Sequence, residues 1–313
     1  MLRSLFSRSA KSESKKREWV TPATAAAISE CVGARGIPPM PGAAQKAFQL
    51  ATNPKADAKD FAEVIGSDEG LSARVIKIAN SVYFERGKRS DTIEEAIAVI
   101  GTGELRSLLN ATTLSEIFPS KEQLRTQLWE NDLATAIIAK ALAARVLPSC
   151  SELAFLGGLM HDVGKLLLLQ RNPEAYRVIV KYSEERGVSS IEAEENTYPF
   201  NHTQVGALIG SRWNFSSDLI DIIAGHHLSW DECKILPRGT LVAIVKTANI
   251  ASHALGYGHT RSSTKIANAA EEALSQGWAA LGFSTTESAT LKNDLARTYS
   301  LERELYATSH GSA

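Results

Sequence analysis

Apolar residues recur at intervals of three and four positions along most of the chain from Pro22 onward. This spacing places them on one face of an α-helix. No run of alternating apolar and polar residues lies between Asn-Gly or Asp-Gly turns, which would mark a strand pair. The pattern therefore predicts an all-α fold, with helices near residues 43–51, 57–65, 68–79, 93–100, 121–146, 151–170, 173–186, 202–213, 217–227 and 238–255, and in the tail after Thr285.

Helix signals and helix breakers mark the ends of several predicted segments. Asp57 and Asp68 each precede a periodic apolar run and are of a residue type that caps helix N-termini. Thr92 is followed three positions later by a glutamate, which is the spacing of a capping box. Gly101 is expected to end the helix that follows Thr92. The Phe-Pro-Ser sequence at 118–120 is the clearest internal boundary.

These boundaries divide the chain into successive segments. Residues 1–20 are a basic, serine-rich tail that we expect to be disordered, with a membrane-surface or partner-binding arm as the alternative. Residues 21–119 are predicted to form an N-terminal helical lobe, and residues 120–260 a second helical lobe. A C-terminal helical extension follows at 261–313. Because no long Gly/Ser linker joins the lobes, we expect them to pack together.

Composition and charge exclude several classes of protein. Apolar residues make up 44% of the 313 residues, charged residues make up 22%, and the net charge is −1, so no basic face for DNA is expected. The three cysteines are far apart and indicate neither a disulfide framework nor a metal knuckle. No apolar run approaches the ~20 residues of a membrane span. The N-terminus lacks a secretory signal, so we expect a cytoplasmic protein without a membrane span.

The candidate chemistry begins with His161-Asp162, a pair inside an apolar, glycine-rich segment. On a helix, Gly157 and Gly164 would share the face of His161, and Gly158 would share the face of Asp162. Glycine inside a helix is less favourable than alanine by about 1 kcal/mol. We therefore expect these glycines to keep space open beside metal-ligating atoms.

Three further histidines and a lysine belong to the same candidate site. His202 is followed one helical turn later by a glycine, and His226-His227 directly follow a glycine. Imidazoles with a carboxylate suit zinc, iron, manganese or cobalt, and such an ion could activate water for attack on a phosphoester. The alternative is a set of core histidines that only hydrogen-bond. Lys165 is either a snorkelling lysine or the partner of a phosphate or of Asp162.

Several sequence motifs occur in a characteristic order: Ile-Pro-Pro-Met-Pro at 37–41, Ser-Asp-Glu-Gly-Leu-Ser-Ala-Arg-Val-Ile-Lys-Ile-Ala-Asn-Ser at 67–81, the Ile-to-Gly segment at 93–101, Gly-Leu-Met-His-Asp-Val-Gly-Lys at 158–165, Asn-His-Thr-Gln-Val-Gly-Ala at 201–207 and Ala-Gly-His-His at 224–227. Together they resemble the HDOD family (HD-related output domain) of the HD superfamily, over residues 36–255. The resemblance implies a helical N-terminal lobe packed on an HD-like helical bundle. It also implies a role in bacterial signal transduction, often without demonstrated catalysis.

The chain departs from the working phosphohydrolases that it resembles. Those enzymes need a further His before the His-Asp pair and a further Asp after the His pair. Asn131 and Asn249 stand nearest those positions. An amide oxygen is a neutral, weak ligand and an amide nitrogen cannot ligate. The chain also lacks the Gly-Tyr-Pro signature of cyclic-dinucleotide phosphodiesterases in the superfamily.

Three functions remain as expectations. The favoured one is a regulatory module with a degenerate site and no catalysis, which binds a signalling protein partner. A second is a sensor that binds a nucleotide or cyclic dinucleotide through Lys165 and the histidines without hydrolysis. A third is a metal-dependent phosphohydrolase that uses iron, manganese or zinc and the ligands His161, Asp162, His202, His226 and His227.

Overall fold

The structure, a computed structural model, describes residues 17–40, 45–46, 48–50, 53, 55–81, 83–84, 87, 89–119, 122–258 and 264–307. These residues form helices and no strand, so the predicted all-α fold is confirmed. The first helices are α1 (Pro22–Val32), α2 (Ala58–Gly66), α3 (Glu69–Ala79), α4 (Ile93–Ile100) and α5 (Thr102–Ile117). They are followed by α6 (Gln123–Val146), α7 (Ser151–Met160), α8 (Val163–Arg171), α9 (Pro173–Arg186), α10 (Ser190–Glu195), α11 (His202–Arg212), α12 (Ser217–Gly225), α13 (Trp230–Ile235), α14 (Gly239–Ala254), α15 (Thr264–Ala280) and α16 (Thr285–Ala307). Residues 1–16 of the predicted tail, and part of the predicted helix at 43–51, lie outside the described residues.

Side-chain caps fix where the helices of the N-terminal lobe begin. The Asp57 carboxylate accepts the backbone N–H of Asp60, and the Asp60 carboxylate accepts the N–H of Asp57, which completes a capping box. Asp68 accepts the Leu71 N–H at 2.8 Å, and the Thr92 hydroxyl caps α4. The three predicted caps are therefore confirmed, and each typically contributes about 1 kcal/mol.

The long helix α6 organises the core of the second lobe. It packs against α7, α14 and α16, and its residues Ala134, Ile138 and Leu142 are fully buried. The C-terminal helices return to this core, where Trp278 of α15 and Leu291 of α16 join the same apolar cluster as Leu142. No helix among the described residues is both long enough and apolar enough to span a membrane.

Residues near the N-terminus lie against the second lobe. The Trp213 indole donates to the Pro38 carbonyl at 3.0 Å, so the two lobes pack together as predicted. The Trp19 indole donates to the Asp221 carboxylate at 2.8 Å. The prediction that disorder extends to residue 20 is therefore wrong for residues 17–20, because Trp19 has a defined partner.

The predicted helix at 151–170 is interrupted at the His-Asp pair. Helix α7 ends at Met160 and α8 begins at Val163, with Asp162 at φ −103° and ψ 16° between them. The His161 ring donates from Nδ1 to the Gly158 carbonyl at 2.7 Å. Since that carbonyl would otherwise accept a backbone N–H one turn later, the side chain competes with the helix. The prediction of one continuous helix was wrong for this reason. The list of predicted helices also has no bounds for α1, α5, α10 and α13. Helices α10 and α13 are too short to show a periodic pattern, whereas α15 lies within the predicted C-terminal helical extension.

The glycines around the site bring helices together and do not leave open space. A Cβ atom at Gly164 would lie 2.0 Å from the backbone oxygen of His202, and one at Gly158 would lie 2.7 Å from Cα of Ala136. A Cβ atom at Gly206 would meet the Ile223 side chain at 2.5 Å. The expectation of space beside ligand atoms was therefore wrong. Close backbone approach explains why a side chain is absent at these positions.

Alanine at position 164 is expected to lower the free energy of unfolding by about 3 kcal/mol, because the methyl group meets backbone that cannot rotate away. Urea unfolding followed by circular dichroism measures this change. The matched control is Gly66→Ala, whose Cβ would contact Ile93 Cδ1 at an ordinary 3.6 Å. It should be neutral or stabilising by about 0.5–1 kcal/mol. Equal stability of Gly164→Ala and wild type would contradict the close-approach explanation.

A charged cluster connects α16 to α5 and α6. The Tyr306 hydroxyl donates to Glu104 at 2.7 Å, and Lys140 Nζ donates to the other Glu104 oxygen at 2.9 Å. Burial and the negative charge of Glu104 raise the pKa of Glu302 to about 7. The ionised form of Glu302 is therefore disfavoured in the folded protein.

This pKa predicts a pH-dependent effect of Glu302→Gln. An unfolded glutamate ionises near pH 4.5, whereas the folded one keeps its proton to about pH 7, so wild-type stability falls as pH rises between these values. At pH 8 the variant should be more stable than wild type by about 1–2 kcal/mol, after allowance for solvent screening. The difference should vanish near pH 4. Urea unfolding at both pH values tests this, and a difference independent of pH would contradict it.

Candidate metal centre

The structure brings the predicted site residues together around the carboxylate of Asp162. Asp162 lies in the turn between α7 and α8, His202 is the first residue of α11, and His226 follows the end of α12. Both Asp162 and His202 are buried, and His202 Nε2 lies 3.3 Å from Asp162 Oδ1. His226 Nε2 lies 3.6 Å from the same oxygen. The imidazole of His227 completes this group, whose ligand atoms all lie within 4.8 Å of one another.

Backbone carbonyls fix the proton positions of two imidazoles. His161 Nδ1 lies 2.7 Å from the Gly158 carbonyl oxygen, and His226 Nδ1 lies 2.9 Å from the Ile223 carbonyl oxygen. Because a carbonyl oxygen only accepts, each Nδ1 must carry a hydrogen. The opposite nitrogen, Nε2, faces Asp162 in both rings. In neutral His226 it is a lone-pair donor, whereas in protonated His161 it donates to Asp162 Oδ2. Metal-binding histidines in proteins are oriented in this way.

A buried carboxylate orients the third imidazole. His202 Nδ1 donates to Glu194 Oε2 at 2.7 Å, and Glu194 Oε1 accepts the Tyr176 hydroxyl at 2.8 Å. Burial alone would raise the pKa of Glu194, but the His202 ring and its backbone N–H hold that pKa below its usual range. An ionised Glu194 therefore keeps the hydrogen on Nδ1 and turns His202 Nε2 toward Asp162.

On the Oδ1 side of Asp162, the Nε2 atoms of His202 and His226 face the carboxylate oxygen and carry no hydrogen when these rings are neutral. His202 Nε2 and His226 Nε2 lie 3.5 Å apart, and neither Asp162 Oδ1 nor His227 Nε2 has a hydrogen-bond partner among the described residues. Burial lowers the pKa of His226 to about 3 and that of His227 well below its usual range, so both rings are neutral. Lone pairs at this spacing repel unless a cation lies between them. Three imidazole nitrogens and one carboxylate oxygen fit a divalent transition metal.

The Oδ2 side of Asp162 differs because protein donors already satisfy it. Lys165 Nζ donates to Oδ2 at 2.8 Å, and His161 Nε2 lies 3.2 Å from the same oxygen. Burial opposes ionisation of Asp162, but His161 and Lys165 hold its pKa well below the usual range. Burial likewise disfavours charge on His161, and Asp162 nevertheless raises the pKa of that ring. Asp132, His161 and Asp162 form a second group of possible metal ligands on this side. Lys165 and His161 already engage Asp162 Oδ2 there, so an ion pair competes with a metal ion for this oxygen.

Two asparagine amides lie beside His161. The Asn131 amide nitrogen is 3.5 Å from His161 Nε2 and donates to Asn249 Oδ1 at 3.2 Å. The Ser252 hydroxyl donates to Asn131 Oδ1 at 2.9 Å. Both amide oxygens are thus engaged in hydrogen bonds, and the group turned toward His161 is an NH₂ that cannot ligate a metal. Asn131 therefore presents no ligating atom to His161, and Asn249 is held to Asn131 by a hydrogen bond.

Several residues of the site have no clear signal in the sequence. Glu194 stands in an acidic run, and Tyr176 stands among ordinary core positions of α9. Asp132 follows Asn131, is fully buried, and has no hydrogen-bond partner at either oxygen among the described residues. Burial raises the pKa of Asp132 to about 7. Contacts between segments that are far apart in the sequence place these three residues at the site, so periodicity and motif spacing could not identify them.

The metal centre opens into a cavity of about 260 Å³. Asn131, Asp162, Lys165 and His227 form its polar end, and α6 and α9 form most of its walls. Lys165 donates to Asp162, as one of its predicted roles requires, and it also lines this cavity. Lys165 is only 7% exposed, which does not fit a snorkelling surface lysine.

A model of the HDOD domain matches residues 37–229, more than half of the chain. The chain belongs to the HDOD family. An uncharacterized protein of Treponema pallidum (strain Nichols) is 26% identical over 195 residues, which cover 61% of this chain and 37% of that protein. The match therefore spans little more than a third of that relative's length.

Solved structures show the same HDOD fold. An HDOD domain protein of unknown function from Geobacter sulfurreducens has a TM-score of 0.66 at 22% identity, with 87% of this chain and 92% of that chain covered. A protein from Shewanella amazonensis SB2B named as a candidate phosphohydrolase has a TM-score of 0.70 at 22% identity, covering 93% and 100%. A candidate signal transduction protein from Marinobacter aquaeolei VT8 has a TM-score of 0.68 at 18% identity, covering 88% and 60%. At these identities the likeness establishes the fold.

The contrast between the two sides of Asp162 predicts how many metal ions this HDOD protein binds. After dialysis against Zn²⁺ or Mn²⁺, elemental analysis should find about one ion per chain. His202→Ala should lower the content at least ten-fold, whereas His161→Ala should retain the ion. His253→Ala is the control, because His253 lines the cavity but lies outside the ligand groups. Two ions per chain, or equal loss in His161→Ala and His202→Ala, would contradict the assignment.

Proposed function

We propose that this HDOD protein is a regulatory protein of bacterial signal transduction, which acts by binding a partner protein or ligand and does not catalyse hydrolysis. The observation that carries the proposal is the pair of asparagine amides beside His161. Both amide oxygens accept hydrogen bonds, one from Ser252 and one from Asn131 itself. A metal ion beside His161 would find only neutral, weak amide ligands on Asn131 and Asn249.

Phosphoester hydrolysis requires more positive charge than this site offers. Two-metal hydrolases place a cation on both the attacking and the leaving oxygen. On the Oδ2 side of Asp162 the positive charge comes from the Lys165 ammonium, which Asp162 neutralises at 2.8 Å. The neutral amides of Asn131 and Asn249 add no anionic ligand with which to hold a second ion. The arrangement therefore favours binding without turnover.

A signalling role has support from the fold. The Marinobacter aquaeolei neighbour is named as a candidate signal transduction protein. The name HDOD itself stands for an HD-related output domain. Such a protein needs a surface or pocket whose state a partner can detect. The cavity beside Asp162 lies under α9, and the outer face of that helix exposes Val178 and Tyr182. Occupancy of the cavity could thus be transmitted to a protein partner through α9.

The alternative function is a metal-dependent phosphohydrolase with a single ion. It is favoured by the unpartnered Asp162 Oδ1 and His227 Nε2 and by the neighbouring His202 and His226 nitrogens. When bound, iron, manganese or zinc would supply a Lewis acid and an activated water. The neighbour from Shewanella amazonensis SB2B, which is named as a candidate phosphohydrolase and has a similar fold, also supports this alternative.

A hydrolysis assay separates the two functions. Purified protein loaded with Mn²⁺, Fe²⁺ or Zn²⁺ is tested on bis(p-nitrophenyl) phosphate, a cyclic dinucleotide and nucleoside triphosphates. The proposal predicts rates indistinguishable from those of Asp162→Asn, since no second cation stabilises the leaving group. Metal-dependent turnover in wild type, abolished in Asp162→Asn and in His202→Ala, would contradict the proposal and establish the alternative.

A further inference from the structure

The walls of the cavity beside Asp162 are largely apolar. Leu124 and Leu128 contribute from α6, Ile179 and Val180 from α9, and Val188 from the segment after α9. The volume of about 260 Å³ lies slightly below the ~300–1,000 Å³ typical of ligand sites. A small ligand with an apolar body therefore matches this space better than a dinucleotide does.

The polar end of the cavity offers hydrogen-bond donors to an anion. The Lys165 ammonium carries three N–H groups, and its hydrogen bond among the described residues is to Asp162 Oδ2. Lys165 is buried, so its remaining N–H groups can be satisfied only by something within the cavity. An unused donor on a buried ammonium is costly, and a ligand oxygen would remove that cost.

The charged residues that line the cavity limit the negative charge of a ligand that can bind there. Among the described residues that line the cavity, Lys165 is the only lysine or arginine, whereas Glu184 adds a carboxylate and Asp162 already pairs with Lys165. A cyclic dinucleotide or a triphosphate brings at least two negative charges. One shared ammonium does not balance them, so a single negative charge fits the lining best.

The cavity is also connected to the metal centre through its wall. Tyr176 lines the cavity, and its hydroxyl donates to Glu194, which in turn orients His202. A ligand packed against Tyr176 would therefore act on the hydrogen bonds that position a metal-ligating nitrogen.

We propose that this cavity binds a small organic acid with one negative charge and an apolar body, with its carboxylate on Lys165 Nζ and its hydrocarbon between α6 and α9. The inference rests on the proposed function, because it names the ligand class of that binding site.

Isothermal titration calorimetry with decanoate tests the proposal on the full chain. Val180→Trp fills the cavity from a half-buried position and should weaken decanoate binding at least ten-fold. Val178→Trp is the matched control, since it makes the same substitution two residues away on the exposed face of α9. It should bind decanoate as wild type does. Far-ultraviolet circular dichroism verifies that both variants keep the helical fold.

A second arm tests the negative charge. Decanol has the same hydrocarbon without the carboxylate and should bind at least ten-fold more weakly than decanoate. Equal binding of decanol and decanoate, equal losses in Val178→Trp and Val180→Trp, or no decanoate binding would each overturn the proposal. If a cyclic dinucleotide or a triphosphate bound instead and Val180→Trp abolished that binding, the ligand class would be wrong while the proposed binding function stood. Failure of the proposed function is detected separately, by metal-dependent hydrolysis.

Discussion

The buried carboxylate of Asp162 is the charge on which the rest of the site depends. An ionised carboxylate without water is strongly unfavourable unless both oxygens meet positive charge or hydrogen-bond donors. Oδ2 meets Lys165 at 2.8 Å and His161 at 3.2 Å. Oδ1 meets only imidazole nitrogens whose hydrogens lie on the opposite side of the ring, and this asymmetry explains why one half resembles a metal site and the other a salt bridge.

Helix packing makes this arrangement possible. Asp162 and His202 come together because α8 and α11 touch through backbone at Gly164, where a Cβ atom would lie 2.0 Å from the His202 carbonyl oxygen. The turn that presents His161 and Asp162 exists because the His161 ring takes the Gly158 carbonyl from the helix. The same contact fixes the ring tautomer. Local structure, packing and ligand orientation are thus set by the same few atoms.

The sequence predicted the helical class, the caps at Asp57 and Asp68, and the residues that meet around Asp162. These features depend on local hydrogen bonds or on motif spacing, which a sequence displays directly. It could not show that Glu194 orients His202, because that contact joins an acidic surface-like run to a buried ring. The structural role of the glycines could not be predicted either, because it depends on which helix packs against each of them. Contacts between helices that are far apart in the sequence determine this role, and residue spacing within one helix does not show those contacts.

The central claim is that only the Oδ1 side of Asp162 can hold a metal ion. The most direct test is a crystal structure of the protein soaked in Zn²⁺, with an anomalous difference map collected at the zinc edge. We expect one peak, within bonding distance of Asp162 Oδ1 and of imidazole nitrogens of His202, His226 and His227. A peak between His161 and Asn131, alone or as a second ion, would contradict it.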